Sequence, residues 1–237
     1  MSSPERIVPD ATEPGIVALH RKRYEFAQPY CRGRDVLDAG CGVGYGAALL
    51  AADARTVIGV DIDASAIEYA RRRYGAPNVT FRVGDVTALD LEDDSVDVVC
   101  AFEAIEHVRG PERFLSETRR VLRDGGLLLV STPRVERTSV RPANPHHERE
   151  YSAPDFEALL RTQFSSVELL GQRRLQTARH RAMQRLDVLA LRKRLPFLRR
   201  LGRAVTGTPA MAEVTSAQIE ITPELEGASE VIAVCHT

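Results

Sequence analysis

The segment VLDAGCGVGYG, residues 36–46, constrains this chain more than any other stretch. A short apolar run, Asp35–Ala39, stops at glycines, and Gly44–Ala54 then reads as a helix. A strand that turns through glycine into a helix opens a parallel α/β sheet. The rest of the chain keeps that alternation. Strands are expected at Thr56–Val60, Val79–Val83, Val96–Ala101, Leu127–Ser131, Val167–Leu170 and Val231–His236. Helices are expected at Ile16–Tyr30, Ala64–Tyr74, Pro111–Leu122 and Asp155–Phe164. The order predicts a doubly wound sheet, whose ligands bind beyond the carboxyl ends of the strands.

A chain of 237 residues suits one such domain over 1–237, with an N-terminal helical segment over 1–34. No apolar run reaches the roughly 18 residues of a membrane span, and the first ten residues are polar. Cys31, Cys41, Cys100 and Cys235 are scattered without a CxxC pair, as expected of reduced thiols in a cytoplasm. The net charge of −1 gives no global field for nucleic acid.

One stretch breaks the alternation. Nearly sixty residues, Gln172–Ala228, separate the last two strands, and Asp187 is the only acid between Arg173 and Arg203. We read 173–228 as an inserted helical cap. A solvated face, a homodimer contact and a lid or basic surface over the substrate all fit its pattern.

The glycine loop alone leaves the ligand open, because Gly42–Ala47 also satisfies the relaxed dinucleotide pattern. Asp38 narrows it. A carboxylate just before the loop repels a pyrophosphate but suits an ammonium, which a methionine moiety carries. Asp61 at the end of VIGVD can take both ribose hydroxyls, with Ile62 packed on an adenine. Asp85 can accept from the adenine amine, with the Val86 amide on a ring nitrogen. Each aspartate taken alone can equally be a loop or helix cap.

These segments resemble the class I S-adenosylmethionine-dependent methyltransferases. VLDAGCGVGYG looks like their first motif, VIGVDID their second, and GDVTALDLEDDSVDVVCAFEAIEHV their third and fourth. The resemblance covers about Tyr24 to Gln172. It implies a Rossmann-like seven-stranded sheet whose last strand is antiparallel, with the helical insertion between the sixth and seventh strands. It implies S-adenosyl-L-methionine as cofactor, held by Asp38, Gly40, Gly42, Gly44, Asp61, Ile62, Asp85, Val86 and Phe102. A segment like His20-Arg-Lys-Arg-Tyr24 closes over the cofactor in related proteins. Arg23 and Tyr24 are therefore assigned to it, with Arg23 on the methionine carboxylate.

Methyl transfer to a hydroxyl needs a proton removed or its pKa lowered. Glu103, Glu106 and His107 form ExxEH after the fourth strand, on one face of a helical turn. Asn144-Pro-His-His-Glu148 follows the fifth strand and reaches the same end of the sheet. Two carboxylates and two imidazoles suit a divalent metal such as magnesium, manganese or iron. ExxEH with a distal histidine also resembles the metal site of small-RNA 2′-O-methyltransferases, and ExxEH the magnesium-using quinone-pathway enzymes. The alignment of HEREYS selects His147 over His146. The expected metal ligands are Glu103, Glu106, His107 and His147, and the expected catalytic groups are His147, His107 and Glu103. Without a metal, Glu103 lines the methionine pocket, Glu106 caps a helix, His107 is packed and His147 is a general base.

The expected acceptor is a small molecule carrying a phenol, quinone or sugar hydroxyl. An amine on a sugar or peptide shares every cofactor motif. RNA has only the basic segment in its favour, since the chain has no Trp and the cap offers only Phe197 for stacking.

Overall fold

The computed structural model describes residues 6–175 and 213–237. Helix α1, Pro14–Cys31, leads into strand β1, Asp35–Ala39, and helix α2, Tyr45–Leu50. Then come β2 (Thr56–Asp61), α3 (Ala64–Tyr74), β3 (Val79–Val83) and β4 (Val96–Phe102). A 3-10 turn at Ile105–His107 precedes α4 (Pro111–Val121) and the long β5 (Leu122–Val135). The described chain continues with β6 (Tyr151–Ser152), α5 (Ala153–Leu160), β7 (Ser166–Arg174), β8 (Ile219–Thr222) and β9 (Glu230–His236).

The strand order is β3-β2-β1-β4-β5-β9-β7-β8, with β6 pairing the end of β5. β3, β2, β1, β4 and β5 are parallel, and β9 runs antiparallel to both its neighbours, β5 and β7. The fold is the expected Rossmann-like α/β sheet, but the described residues form nine strands where seven were expected. One addition is β6, whose two residues pair Arg134 and Val135 at the far end of β5. The other is β8, antiparallel to β7 and tied to it by Arg173–Glu220 at 2.6 Å and Arg173–Glu224 at 2.9 Å. The described flanks of the expected helical cap are thus partly strand, because β7 runs on to Arg174 and β8 returns along it. The rest of that expectation, over 176–212, lies outside the described residues.

Strand residues alternate between two cores. Leu37, Val99, Ala101 and Leu128 pack with Phe114 and Leu115 of α4 and Phe156 of α5. Val36, Val98, Cys100 and Leu129 pack with Ala27 and Cys31 of α1, Leu50 of α2 and Ile67 of α3. Helix α2 lies so close to α1 that a Cβ on Gly46 would sit 1.9 Å from the Tyr24 ring. Asp124-Gly125-Gly126, which separates the expected helix Pro111–Leu122 from the expected strand Leu127–Ser131, is instead an irregularity inside β5. The β4–β5 register shifts between Val96 and Val98, and Arg123 turns to bond Asp97 at 2.7 Å and Asp35 at 3.2 Å.

Candidate active site

The carboxyl ends of β1, β2 and β4, and the loop after β3, open on one cavity of about 1090 Å³. That is ample for one drug-sized ligand and leaves room for a second. Gly40, Gly42, Asp61, Ile62, Asp85 and Val86 line one part of it. Gly42 has φ +53°, and a Cβ there would meet nothing within 4 Å, so the backbone at this point faces open cavity.

Asp61 accepts from the Gly42 amide at 2.8 Å and the Asp63 amide at 2.9 Å. It is not the cap of α3. Asp63 is, accepting from Ser65 N at 2.7 Å and Ala66 N at 3.3 Å. Asp61 therefore keeps lone pairs for ligand hydroxyls. Asp85 takes Thr87 N and Oγ1 on Oδ1, both at 2.8 Å, and makes no described hydrogen bond through Oδ2. Ile62 is 74% exposed on the cavity wall, an unusual state for so large an apolar side chain. A flat apolar ligand face would cover it.

Asp38 is placed differently from its neighbours. It is fully buried and does not line the cavity. The Tyr24 hydroxyl stands before it, donating to Oδ1 at 3.2 Å and Oδ2 at 3.4 Å. Burial pushes the Asp38 carboxyl up to about 7, an effect that Asp61 reinforces and the Tyr24 bond opposes. Tyr24 lines the cavity and packs edge-on against Phe102 at 5.1 Å and Tyr45 at 5.6 Å. Arg23 also lies outside the cavity wall, 1% exposed, with Nη1 3.4 Å from Gln172 Oε1 and 3.9 Å from Glu103 Oε1. Its Nε has no partner. Gly44 precedes α2 with φ +85°.

Past Phe102 the backbone of Glu103 turns left-handed, φ +53°, at a cost on the order of 1 kcal/mol for a side chain bearing a Cβ. Ser131 holds it there. The Glu103 amide meets Ser131 Oγ at 3.1 Å and Ser131 O at 3.2 Å, and Ser131 Oγ donates back to Glu103 Oε1 at 2.8 Å.

Glu106, His107 and His147 come together, each offering a ligand atom within 4.8 Å of the others. Glu103 lies outside this group, engaged by Ser131 and Arg23. Glu106 is 1% exposed, and burial, then Glu103, pushes its carboxyl well above the usual range. Its Oε2 is a buried acceptor that meets no donor at hydrogen-bond geometry among the described residues, although the Thr132 hydroxyl stands near, and a cation would relieve that state. The Glu106 carbonyl accepts from Glu148 N at 2.7 Å and Arg149 N at 3.2 Å, which fixes the loop carrying His147 to the 3-10 turn.

His107 Nδ1 lies 2.9 Å from the His146 carbonyl, which only accepts, so Nδ1 is the donor and Nε2 is turned to the group. His147 Nδ1 lies 2.9 Å from Glu150 Oε1, and Asn144 Nδ2 is 3.0 Å from its Nε2. The rings meet edge-on at 5.0 Å. One carboxylate and two imidazoles presenting Nε2, each held at Nδ1 by an oxygen, fit a divalent metal. A metal on His147 has to displace the Asn144 amide.

Motif reading gave no role to the wall residues Arg6, Tyr45 and Arg113, and it named His20 and Asn144 only as members of their segments. Arg6 reaches Asp63 at 2.8 Å, and no sequence pattern announces that pairing. His20 had a signal, the four-residue spacing to Tyr24 on α1.

A family model described as a methyltransferase domain matches residues 37–130. A Mycolicibacterium smegmatis protein named "Probable S-adenosylmethionine-dependent methyltransferase" is 45% identical over 168 residues, 69% of this chain and 65% of that protein. Residues 37–130 thus match a methyltransferase domain, and the chain is similar to S-adenosylmethionine-dependent methyltransferases. A fatty-acid O-methyltransferase from Mycolicibacterium smegmatis is 32% identical over 166 residues, covering 69% of this chain and 55% of that protein. The chain thus spans under two thirds of the length of these curated relatives. A solved S-adenosylmethionine-dependent methyltransferase from Thermotoga maritima superposes with a TM-score of 0.63 at 18% identity, covering 92% of this chain and 91% of that one, and shows the shared fold.

Proposed function

We propose that this chain transfers the methyl group of S-adenosylmethionine to a hydroxyl or carboxyl oxygen of a small-molecule acceptor. One observation carries the reading. The cofactor-type wall of Gly42, Asp61, Ile62 and Asp85 and the Glu106–His107–His147 group line the same cavity. Asp61 takes the ribose hydroxyls, Ile62 covers the adenine, and Asp85 with the Val86 amide reads its edge. Gly40 and Phe102 shape the wall around the methionine part, and Gly44 turns the chain behind it into α2. Tyr24 passes the Asp38 charge toward the ammonium, and Arg23 balances the carboxylate end. When bound, the cofactor supplies a methyl on sulfonium, already activated for displacement, so positioning by the protein does much of the work.

Glu106, His107 and His147 would hold a divalent cation, with Glu103 beside them, and such a cation lowers the pKa of a hydroxyl resting on it. Two imidazoles to one carboxylate favour manganese or iron over magnesium. Without a metal, the Nε2 lone pair of His147 serves as a base once Asn144 yields. The fatty-acid relative places carboxylates among the acceptors worth testing, beside phenols, quinols and sugar diols.

The reading takes 1–237 as one catalytic domain, working on a small molecule rather than nucleic acid. Its four buried, unbridged cysteines suit a reducing compartment such as the cytoplasm. It gives 173–228 the role of covering the site or pairing two copies. No helix among the described residues is long and apolar enough to cross a membrane.

The test is calorimetry with S-adenosylhomocysteine, metal analysis of the purified protein, and transfer of labelled methyl to an oxygen-acceptor panel with and without chelation. Nucleoside binding, bound manganese or iron, and transfer lost on chelation are expected. Full transfer by metal-free protein removes the metal from the reading. Binding of NAD in place of S-adenosylhomocysteine overturns it.

A further inference from the structure

We infer that His20 is the base that receives the acceptor's hydroxyl proton, an assignment that rests on the oxygen-methylation reading above. Its position follows from how α1 crosses the sheet. Cys31 at the end of α1 meets Cys100 in the middle of β4, and Tyr24 packs on Phe102 at the end of β4. The helix therefore runs antiparallel to that strand, and its N-terminal half projects past the strand's carboxyl end. His20 stands four residues before Tyr24 on the same face, about 6 Å further along the axis. It lines the cavity, as do Glu103, Glu106 and His107.

Among the described residues three imidazoles line this cavity, those of His20, His107 and His147. His107 gives Nδ1 to the His146 carbonyl, and its Nε2 belongs to the candidate metal group. His147 is held between Glu150 and Asn144. The His20 side chain makes no hydrogen bond with any described residue, so its lone pair is open to a ligand. Burial, with Arg23 three residues on, pushes its pKa well below the usual histidine value, which keeps the ring an acceptor. A metal at Glu106, His107 and His147 would engage the other two Nε2 lone pairs. A proton leaving the hydroxyl then needs a base that is not a ligand, and among the described imidazoles on the wall His20 is that group.

The step balances. The hydroxyl proton passes to the open ring nitrogen of His20, and the oxygen pair forms the C–O bond to the methyl group. The C–S bond breaks and its electron pair stays on sulfur. One positive charge leaves the donor as one arrives on His20, so the net charge of the cavity is unchanged. This matters beside the buried Arg23 guanidinium. The imidazolium returns its proton to solvent after methylated product leaves.

The test uses the full chain, His20→Gln and His20→Asn, and a probe panel of a catechol, a hydroquinone, a sugar vicinal diol and a long-chain fatty acid. Calorimetry with S-adenosylhomocysteine comes first, and affinities within about twofold of wild type show that the variants fold and hold the cofactor. Both variants are expected to lose about 10²–10⁴-fold in kcat on a hydroxyl probe, with KM little changed. Added imidazole is expected to restore part of the rate to His20→Gly. A carboxylate probe carries no proton to remove, so any transfer to the fatty acid should survive the substitution. In nitrogen-labelled histidine spectra of the nucleoside complex at neutral pH, His20 should show one unprotonated ring nitrogen. Hydroxyl turnover by His20→Gln within about threefold of wild type, or a doubly protonated His20, overturns the assignment. Wild type that methylates no hydroxyl on the panel overturns oxygen-hydroxyl transfer itself, and the base falls with it.

Discussion

Asp38 is under strong electrostatic tension in the ligand-free fold. Its carboxyl is sealed behind Tyr24 and pushed up to about 7. Because the folded-state pKa lies above the unfolded one, folding takes up a proton between about pH 4 and 7. The ionised form thus burdens the ligand-free fold above about pH 7, and the burden lifts as pH falls toward 4. Asp38→Asn is expected to raise the melting temperature of ligand-free protein at alkaline pH, by at most about 4 kcal/mol in stability. The same substitution should weaken S-adenosylhomocysteine binding by tenfold or so, the loss expected for one charge-assisted contact of about 1.4 kcal/mol. Wild-type affinity should fall on going from about pH 8 to about pH 6, where Asp38 takes up its proton. A flat pH profile by calorimetry would remove Asp38 from the ammonium contact. Sequence order placed Asp38 beside the glycine loop but carries no information on what stands before a side chain. Tyr24 is fourteen residues away and reaches Asp38 only once α1 is packed on the sheet. The acid at 61 was more legible, because Asp63 two residues later supplies the helix cap and leaves Asp61 for the cavity.

The contact of α1 with α2 is tight enough to test by one methyl group. Gly46→Ala drives a Cβ into the Tyr24 ring, which cannot retreat without leaving Phe102 and Tyr45. We expect a loss of about 1–3 kcal/mol in unfolding free energy, read by denaturant titration, together with weaker nucleoside binding. Recovery of stability by Tyr24→Leu in the same chain would locate the strain at that contact. The parallel strands β1 to β4 were readable because buried strands give continuous apolar runs bounded by turns. β5 was not readable in full, since Asp-Gly-Gly carries a strong turn signal that the bulge absorbs. β8 has only four residues, and its place depends on the edge of β7 rather than on its own pattern. His20 was passed over because its meaning comes from the direction of α1 across β4.

At the scale of the molecule, Arg174 pairs with Ile219, so the described chain leaves and re-enters the sheet at neighbouring positions. A short flexible linker can therefore stand in for residues 176–212 at a modest closure cost, since that cost grows only logarithmically with length. Such a chain is expected to fold and to bind S-adenosylhomocysteine within about threefold of the full chain, while acceptor turnover falls about tenfold or more if the segment covers the site. Unchanged turnover would exclude that role for it. The bonds from Glu148 N and Arg149 N to the Glu106 carbonyl have a different reach. They make the 3-10 turn and the loop bearing His147 one mechanical piece, which meets the glycine turn of the donor wall where Ala104 packs on Gly40. Acceptor preference can then drift, or be transplanted between homologues, by exchanging 103–110 together with 136–150. Either segment exchanged alone would arrive without its other half.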